Sequence, residues 1–249
     1  MITLDDRSGV IRQELSQVYY VKKFVGPGGR LKFLLRISRY HVELRNLQFF
    51  SRLGLAIPNI VARGYESRMG LMQRAVIVTA AVADSMDLEQ FIATGRFYED
   101  GVGTARQLLS KLAHATRLLH ANGFYHKDMK IRNVLVQKRA REIELFFLDC
   151  PSGYRPPRVM LRRGIVRDLA SLARGLRGVL SPRDLLYFFK QYRGCSRLGP
   201  ADKALARDAL AYHRDRRMTR KRRRWEAKKS RQRALERQSA LVAADSHER

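Results

Sequence analysis

The sequence predicts an α+β chain of two lobes and a tail. A β-rich N-terminal lobe with one helix takes residues 1–83, a mainly helical C-terminal lobe 84–213, and a basic helical or disordered tail 214–249. Three observations predict this. Short β-branched and aromatic runs, punctuated by glycine turns, fill the first ninety residues around a single helical repeat. Long apolar helical faces dominate afterwards. Residues 214–233, "RDRRMTRKRRRWEAKKSRQR", carry twelve Lys/Arg and two acids, with Met218 and Trp225 as the only large apolar groups, too few to build a core.

"VIRQELSQVYYVKKF" reads as strands ending at the turn "GPGG", residues 26–29. From Tyr40 to Leu53, Leu44, Leu47 and Phe50 recur at helical spacing, and Gly54 stands where a helix C-terminus favours a left-handed residue. "VARGYES" and "GLMQRAVIVTAAV" read as further antiparallel strands. "TARQLLSKLAHATRLLHANG" puts Leu108, Leu109, Leu112, Ala115 and Leu119 on one helical face and stops at Asn122-Gly123. "NVLVQKRAREIELFFLDC" gives two short strands with Asp149 at the end of the second, and the pattern turns mainly helical from Gly164. No internal repeat is present.

At 249 residues the chain can bury a sizeable core without disulfides. Cys150 and Cys195 lack metal-ligand spacing and are expected as free core thiols in a reducing compartment. The first residues do not resemble a signal peptide, and the longest apolar run, "AVIVTAAVA", is too short to span a bilayer, so a soluble cytoplasmic protein is expected. Fifty Lys/Arg against twenty-three Asp/Glu give a formal charge of +27, which calls for an acidic partner: nucleic acid, anionic lipid or another polyanion.

The chemistry concentrates in "HKDMKIRN", residues 126–133. Moving a phosphoryl group from ATP needs alignment and charge neutralisation more than covalent chemistry. A carboxylate must meet the acceptor hydroxyl, cations must meet the phosphates, and oxygens must hold a metal ion. Asp128 is placed for the acceptor, Lys130 for the transferring phosphate, and Asn133, five residues after the Asp, for Mg²⁺. Asp149, returned by the next hairpin, is a second metal ligand. "YYVKKF" and "HVELRNLQFF" supply Lys22 for the ATP phosphates and Glu43 to aim it. Alone, each has a plainer reading: a solvated strand lysine, a helix-surface acid, turn and cap residues. Their occurrence in the expected order favours a site. His126 reads as a half-buried structural brace rather than a base.

With these residues in view, the chain resembles the lipopolysaccharide kinase family of Gram-negative bacteria, which phosphorylates heptose or 3-deoxy-manno-octulosonic acid of the inner core. The likeness runs from about residue 15 to 215 and includes "HKDMKIRNVLV", "YYVKKF" with Glu43, "AVIVTAAVADSMDLEQFI" and "VRDLASLARGL" leading into "RDLLYFFKQY". It implies a bilobal protein-kinase-like fold, ATP and Mg²⁺ between the lobes, and Asp168 as the helix carboxylate bracing the loop. Three features depart from the kinase pattern. "DCPSG" replaces Asp-Phe-Gly, displacing the glycine to Gly153. Ala80 and Ala81 stand where acids are common after the inter-lobe strand, leaving adenine to backbone hydrogen bonds. Gly9 is the only glycine before Lys22, so a reduced hairpin must cover the phosphates.

Only eighteen residues separate Asp149 from Asp168, without an Ala-Pro-Glu anchor, which disfavours a peptide acceptor. That segment has five arginines and no acid, a composition suited to anionic core sugars. The expected activity is phosphorylation of a lipopolysaccharide inner-core or lipid-linked sugar at the cytoplasmic face of the inner membrane, with the basic tail and Trp225 on the anionic surface. Nucleic acid is the less favoured use of the same tail. Two alternatives stand beside it: an atypical kinase acting on protein or a small soluble metabolite, and a non-catalytic scaffold binding membrane or RNA. The sequence assigns no oligomeric state.

Overall fold

The computed structural model describes residues 3–5, 8–26, 38–69, 71–98, 102–140, 142–177 and 179–214. Strands β1 (Thr3–Asp5), β2 (Ser8–Glu14), β3 (Val18–Val25), β4 (Ile60–Arg68) and β5 (Leu71–Ala80) form an antiparallel sheet in the order β1-β2-β3-β5-β4. Helix α1 (Arg39–Arg52) interrupts the strand sequence between β3 and β4. Before Lys22 the strands β1 and β2 pair antiparallel, with Gly9 opposite Leu4; residues 6–7, between them, lie outside the described residues.

Beyond β5 come β6 (Ser85–Asp87), α2 (Leu88–Ala93), α3 (Val102–Ala121), a 3-10 turn (Ile131–Asn133), β7 (Val134–Arg139), β8 (Glu142–Phe147), α4 (Arg158–Leu176) and α5 (Pro182–Arg193). A last helix has its described part at residues 200–214. Strands β6-β7-β8 form a second, three-stranded sheet.

Two cores result, and α1 touches both. Phe24, Tyr40, Met72, Ala75 and Ile77 pack under the five-stranded sheet, with Leu44 of α1 against them. One to two turns further along α1, Leu47, Phe49 and Phe50 belong instead to the large core with Leu108, Leu112, Leu119, Phe124 and Phe147. Phe50 is fully buried and meets Phe124 edge-on at 5.4 Å and Phe147 at 6.0 Å between centroids. Burying one such ring stabilises by roughly 1.5–3 kcal/mol. Ser38 caps the helix by accepting the His41 amide, and Gly54 (φ 78°) ends it in the left-handed region that disfavours a side chain.

The helix on 104–123, its buried leucine face and the β7–β8 hairpin lie where the sequence puts them. Helix α4 starts six residues before Gly164, at Arg158. Its first turn carries exposed Val159 (88 %) and Met160 (57 %), and its buried residues begin only at Gly164 and Val166. Cys150 is a buried free thiol as expected, whereas Cys195 is only half-buried. Of the basic tail only residue 214 is described; 215–249, including Met218 and Trp225, lie outside the described residues. No helix among the described residues is long and apolar enough to cross a membrane.

Candidate active site

A cleft of about 410 Å³ opens between the five-stranded sheet and the loop after α3, lined among others by Lys22, Glu43, Asp128, Asp149 and Arg167. Strand alternation points Lys22 of β3 into it and leaves Lys23 exposed. Lys22 Nζ donates to both carboxylate oxygens of Glu43, at 2.7 and 2.9 Å, and to Asp149 Oδ1 at 2.8 Å. One ammonium thus joins the sheet, α1 and the segment after β8.

The three charges perturb one another. Burial alone would lower Lys22, but Glu43 and Asp149 more than offset it and its pKa is raised. Burial pushes the 2 % exposed Glu43 carboxyl up to about 8, against the pull of Lys22 and with help from the second carboxylate, Asp149.

Asp128 and Lys130 form their own pair, with Nζ 2.7 Å from Oδ1 and 3.0 Å from Oδ2. Asp128 is 37 % exposed, open to an acceptor arriving from solvent. The 3-10 turn at Ile131–Asn133 brings Asn133 back under the loop, where its Nδ2 donates to the Asp128 carbonyl at 3.0 Å. That bond turns Asn133 Oδ1 into the atom left for a cation. Asp149 stands two residues beyond β8 rather than at its end, and its Oδ2 is likewise the oxygen not engaged by Lys22. Two protein oxygens suit Mg²⁺, which binds through one or two side chains and completes its shell with water and substrate phosphates. Among the described residues no three His, Cys, Asp or Glu side chains converge into a self-sufficient cage.

The loop is held from behind by Asp168 of α4, which is fully buried. Its carboxylate accepts the amides of His126 at 2.5 Å and Lys127 at 2.8 Å. Lys127 sits at φ 71°, an unfavourable conformation for a side-chain-bearing residue, and the Asp168 contact supports it. His120 Nε2 lies 3.4 Å from Asp168 and its Nδ1 2.9 Å from the Tyr192 hydroxyl, backing the carboxylate with a second layer. His126 is buried completely rather than by half, stacked on Phe50 at 5.7 Å, with Nδ1 unpartnered. Its brace is ring packing, and burial lowers its pKa.

Asn46 was not legible as functional. It lies three residues after Glu43, on the same face of α1, and its Nδ2 donates to the carbonyls of Cys150 and Gly153, each at 2.8 Å. The segment after Asp149 is thereby tied to the helix that aims Lys22. The only advance signal is the Glu43–Asn46 spacing. At the inter-lobe strand, the Ala80 and Ala81 amides are already donated to the carbonyls of Asn59 and Val18, so neither is left to hold adenine.

Comparison with known proteins fits this geometry. A solved structure described as WaaP in complex with acyl carrier protein superposes with a TM-score of 0.60 at 22 % identity, covering 85 % of this chain and 84 % of that one. No curated protein sequence matches the chain. The pattern of the Lipopolysaccharide kinase (Kdo/WaaP) family matches residues 9–192, a span holding every cleft residue named above. A bilobal kinase-like fold whose sequence carries that pattern over most of its length belongs to the lipopolysaccharide kinase (Kdo/WaaP) family and is an ATP-using phosphotransferase.

Proposed function

We propose that this enzyme transfers the γ-phosphoryl group of ATP, with Mg²⁺, to a hydroxyl of a lipopolysaccharide inner-core sugar, either heptose or 3-deoxy-manno-octulosonic acid. The observation that carries the reading is the single ammonium of Lys22 shared by Glu43 and Asp149 in the cleft that also holds Asp128. Lys22 binds and orients the nucleotide phosphates; Glu43 aims it. Asn133 and Asp149 would hold the metal ion, which would supply charge neutralisation on the phosphates when bound. Asp128 orients the acceptor hydroxyl and takes its proton. Lys130, paired with Asp128, keeps that carboxylate aimed and lies in reach of the transferring group.

The same reading divides the chain near residue 83, with a nucleotide-binding lobe before it and an acceptor-binding lobe after it. It also places the enzyme at the cytoplasmic face of the inner membrane, where a lipid-linked acceptor is presented. Near an anionic leaflet each Lys or Arg of residues 214–249 would contribute about 1 kcal/mol of attachment.

The test is an acceptor panel. Labelled ATP and Mg²⁺ are offered with inner-core lipopolysaccharides, soluble sugars, RNA and generic protein. Label on the core sugar supports the reading; label only on protein or a soluble metabolite replaces it with a kinase of the same fold and a different acceptor.

A further inference from the structure

The five arginines between Asp149 and Asp168 are not equivalent in space. Arg162 Nη2 is occupied by Asp208 at 2.5 Å. The Arg155 guanidinium lies 4.1 Å over the Phe49 ring, used in packing the segment against α1. Arg158 and Arg163 are exposed and do not line the cleft. Arg167, half-buried, does line it, together with Lys127 and Asp128.

Lys127 and Arg167 are positioned through one group. Asp168 follows Arg167 directly and holds the Lys127 amide at 2.8 Å, so the lysine backbone and the arginine's helical turn are fixed to each other. The Lys127 ammonium lies 5.4 Å over the Tyr154 ring. Among the described residues neither cation makes an ion pair with a carboxylate. Lys22, by contrast, is held by Glu43 and Asp149 for the nucleotide, and Lys130 is held by Asp128. Two cations beside the proton-accepting carboxylate therefore remain for a different anion. A guanidinium presents a planar fork that matches carboxylate and phosphate oxygens, and an ammonium beside it adds a point charge.

We propose that Lys127 and Arg167 form a seat for an oxyanion carried by the acceptor itself, so that the enzyme selects a sugar hydroxyl close to an existing carboxylate or phosphate. This rests on the core-sugar reading above and narrows it: the acceptor must already be acidic, and a reaction that installs the acid group or attaches the acidic sugar must come first. Carboxylate and phosphate share the chemistry of recognition, and paired acceptors tell them apart.

The experiment measures kcat/KM for each of two pairs: a 2-keto-acid sugar glycoside and its neutral carboxamide, and a phosphorylated sugar and its dephosphorylated form. Wild type is compared with Arg167→Gln, Arg167→Lys and Lys127→Met. In wild type the charged member of one pair is preferred. Arg167→Gln is expected to shrink that preference about 10- to 100-fold, the worth of a charge-assisted bidentate contact, and Arg167→Lys to restore part of it. An unchanged ratio, with both members losing activity equally, overturns the seat, as does a rise in KM for ATP in place of the acceptor effect. Binding supplies a readout that does not need turnover. Titration with the charged sugar of the preferred pair, free 3-deoxy-manno-octulosonic acid or the phosphorylated sugar, in the presence of a non-hydrolysable ATP analogue, should be weakened by the same factor in Arg167→Gln. Equal binding by both proteins rejects the seat even if transfer to another acceptor has already replaced the core-sugar reading.

Discussion

Glu43 and Asn46 stand one turn apart on a single helix, and between them they hold two sides of the cleft: Glu43 takes Lys22 of the sheet at 2.7 Å, and Asn46 donates to the Cys150 and Gly153 carbonyls at 2.8 Å each. The segment that replaces Asp-Phe-Gly is thus bonded to the helix rather than free to leave it. Truncating Asn46 to Ala would orphan two buried carbonyls, at about 1–3 kcal/mol each when fully desolvated. Asn46→Ala is expected to lose a few kcal/mol in a denaturant melt and to lower kcat more than it raises the KM for acceptor, because Asp149 moves while the acceptor side does not. A variant with full kcat would show that the strut is dispensable.

Gly153 carries the other half of that clamp. A Cβ there would fall 2.5 Å from Cys150 Sγ and 2.5 Å from Phe124 Cζ, and both neighbours are buried. Gly153→Ala should destabilise by about 1–3 kcal/mol through overpacking. Adding Cys150→Ala should recover part of the loss by clearing one of the two contacts. Strictly additive destabilisation in the double variant would refute the packing account.

Asp168→Ala removes the acceptor of two loop amides, at 2.5 and 2.8 Å, and leaves Lys127 in its left-handed conformation unsupported. A loss of about 2–5 kcal/mol is expected from thermal or denaturant unfolding, with activity lost beyond what the unfolded fraction explains. Mobile amides at His126 and Lys127 in hydrogen exchange would report the cause directly.

Much of this was legible in the sequence, for identifiable reasons. Leu108, Leu112 and Leu119 repeat on a helical face and are all fully buried, so pattern and packing agree. Lys22, Glu43, Asp128, Asn133 and Asp149 could be proposed because phosphoryl transfer needs those residue types in that order; the cleft is lined by four of them, and Asn133 is bonded to the carbonyl of Asp128. What the sequence withheld depends on three-dimensional approach. Asn46 looks like any polar helix residue until residues 150–153 fold over it. The start of α4 stays hidden because Val159 and Met160 face solvent. The five arginines look alike in the sequence, and only Asp208, Phe49 and the cleft sort Arg162 and Arg155 from Arg167.

The buried imidazole of His126 gives the stability a pH signature. Its pKa is lowered by burial from an ordinary 6.5, so the unfolded chain takes up the proton and the folded chain resists it. The stabilising contribution is complete above pH 6.5 and is lost as pH falls from there toward the folded value. Melting temperature should therefore drop on acidification below pH 6.5, and His126→Phe, which keeps a ring against Phe50, should flatten that drop. An identical acid limb in the variant would assign the effect to other groups.

In the proposed mechanism Asp128 serves the acceptor while Asn133 and Asp149 serve the metal-bound nucleotide. The most direct measurement compares wild type, Asp128→Ala and Asp149→Ala for labelled phosphate transfer to inner-core acceptor, alongside Mg²⁺-dependent ATP binding. Asp128→Ala is expected to lose about 10²- to 10⁴-fold in transfer while still binding ATP with Mg²⁺, and Asp149→Ala to lose both. Transfer that survives Asp128→Ala at the wild-type rate, or Mg²⁺-dependent binding that survives Asp149→Ala unchanged, would contradict the assignment.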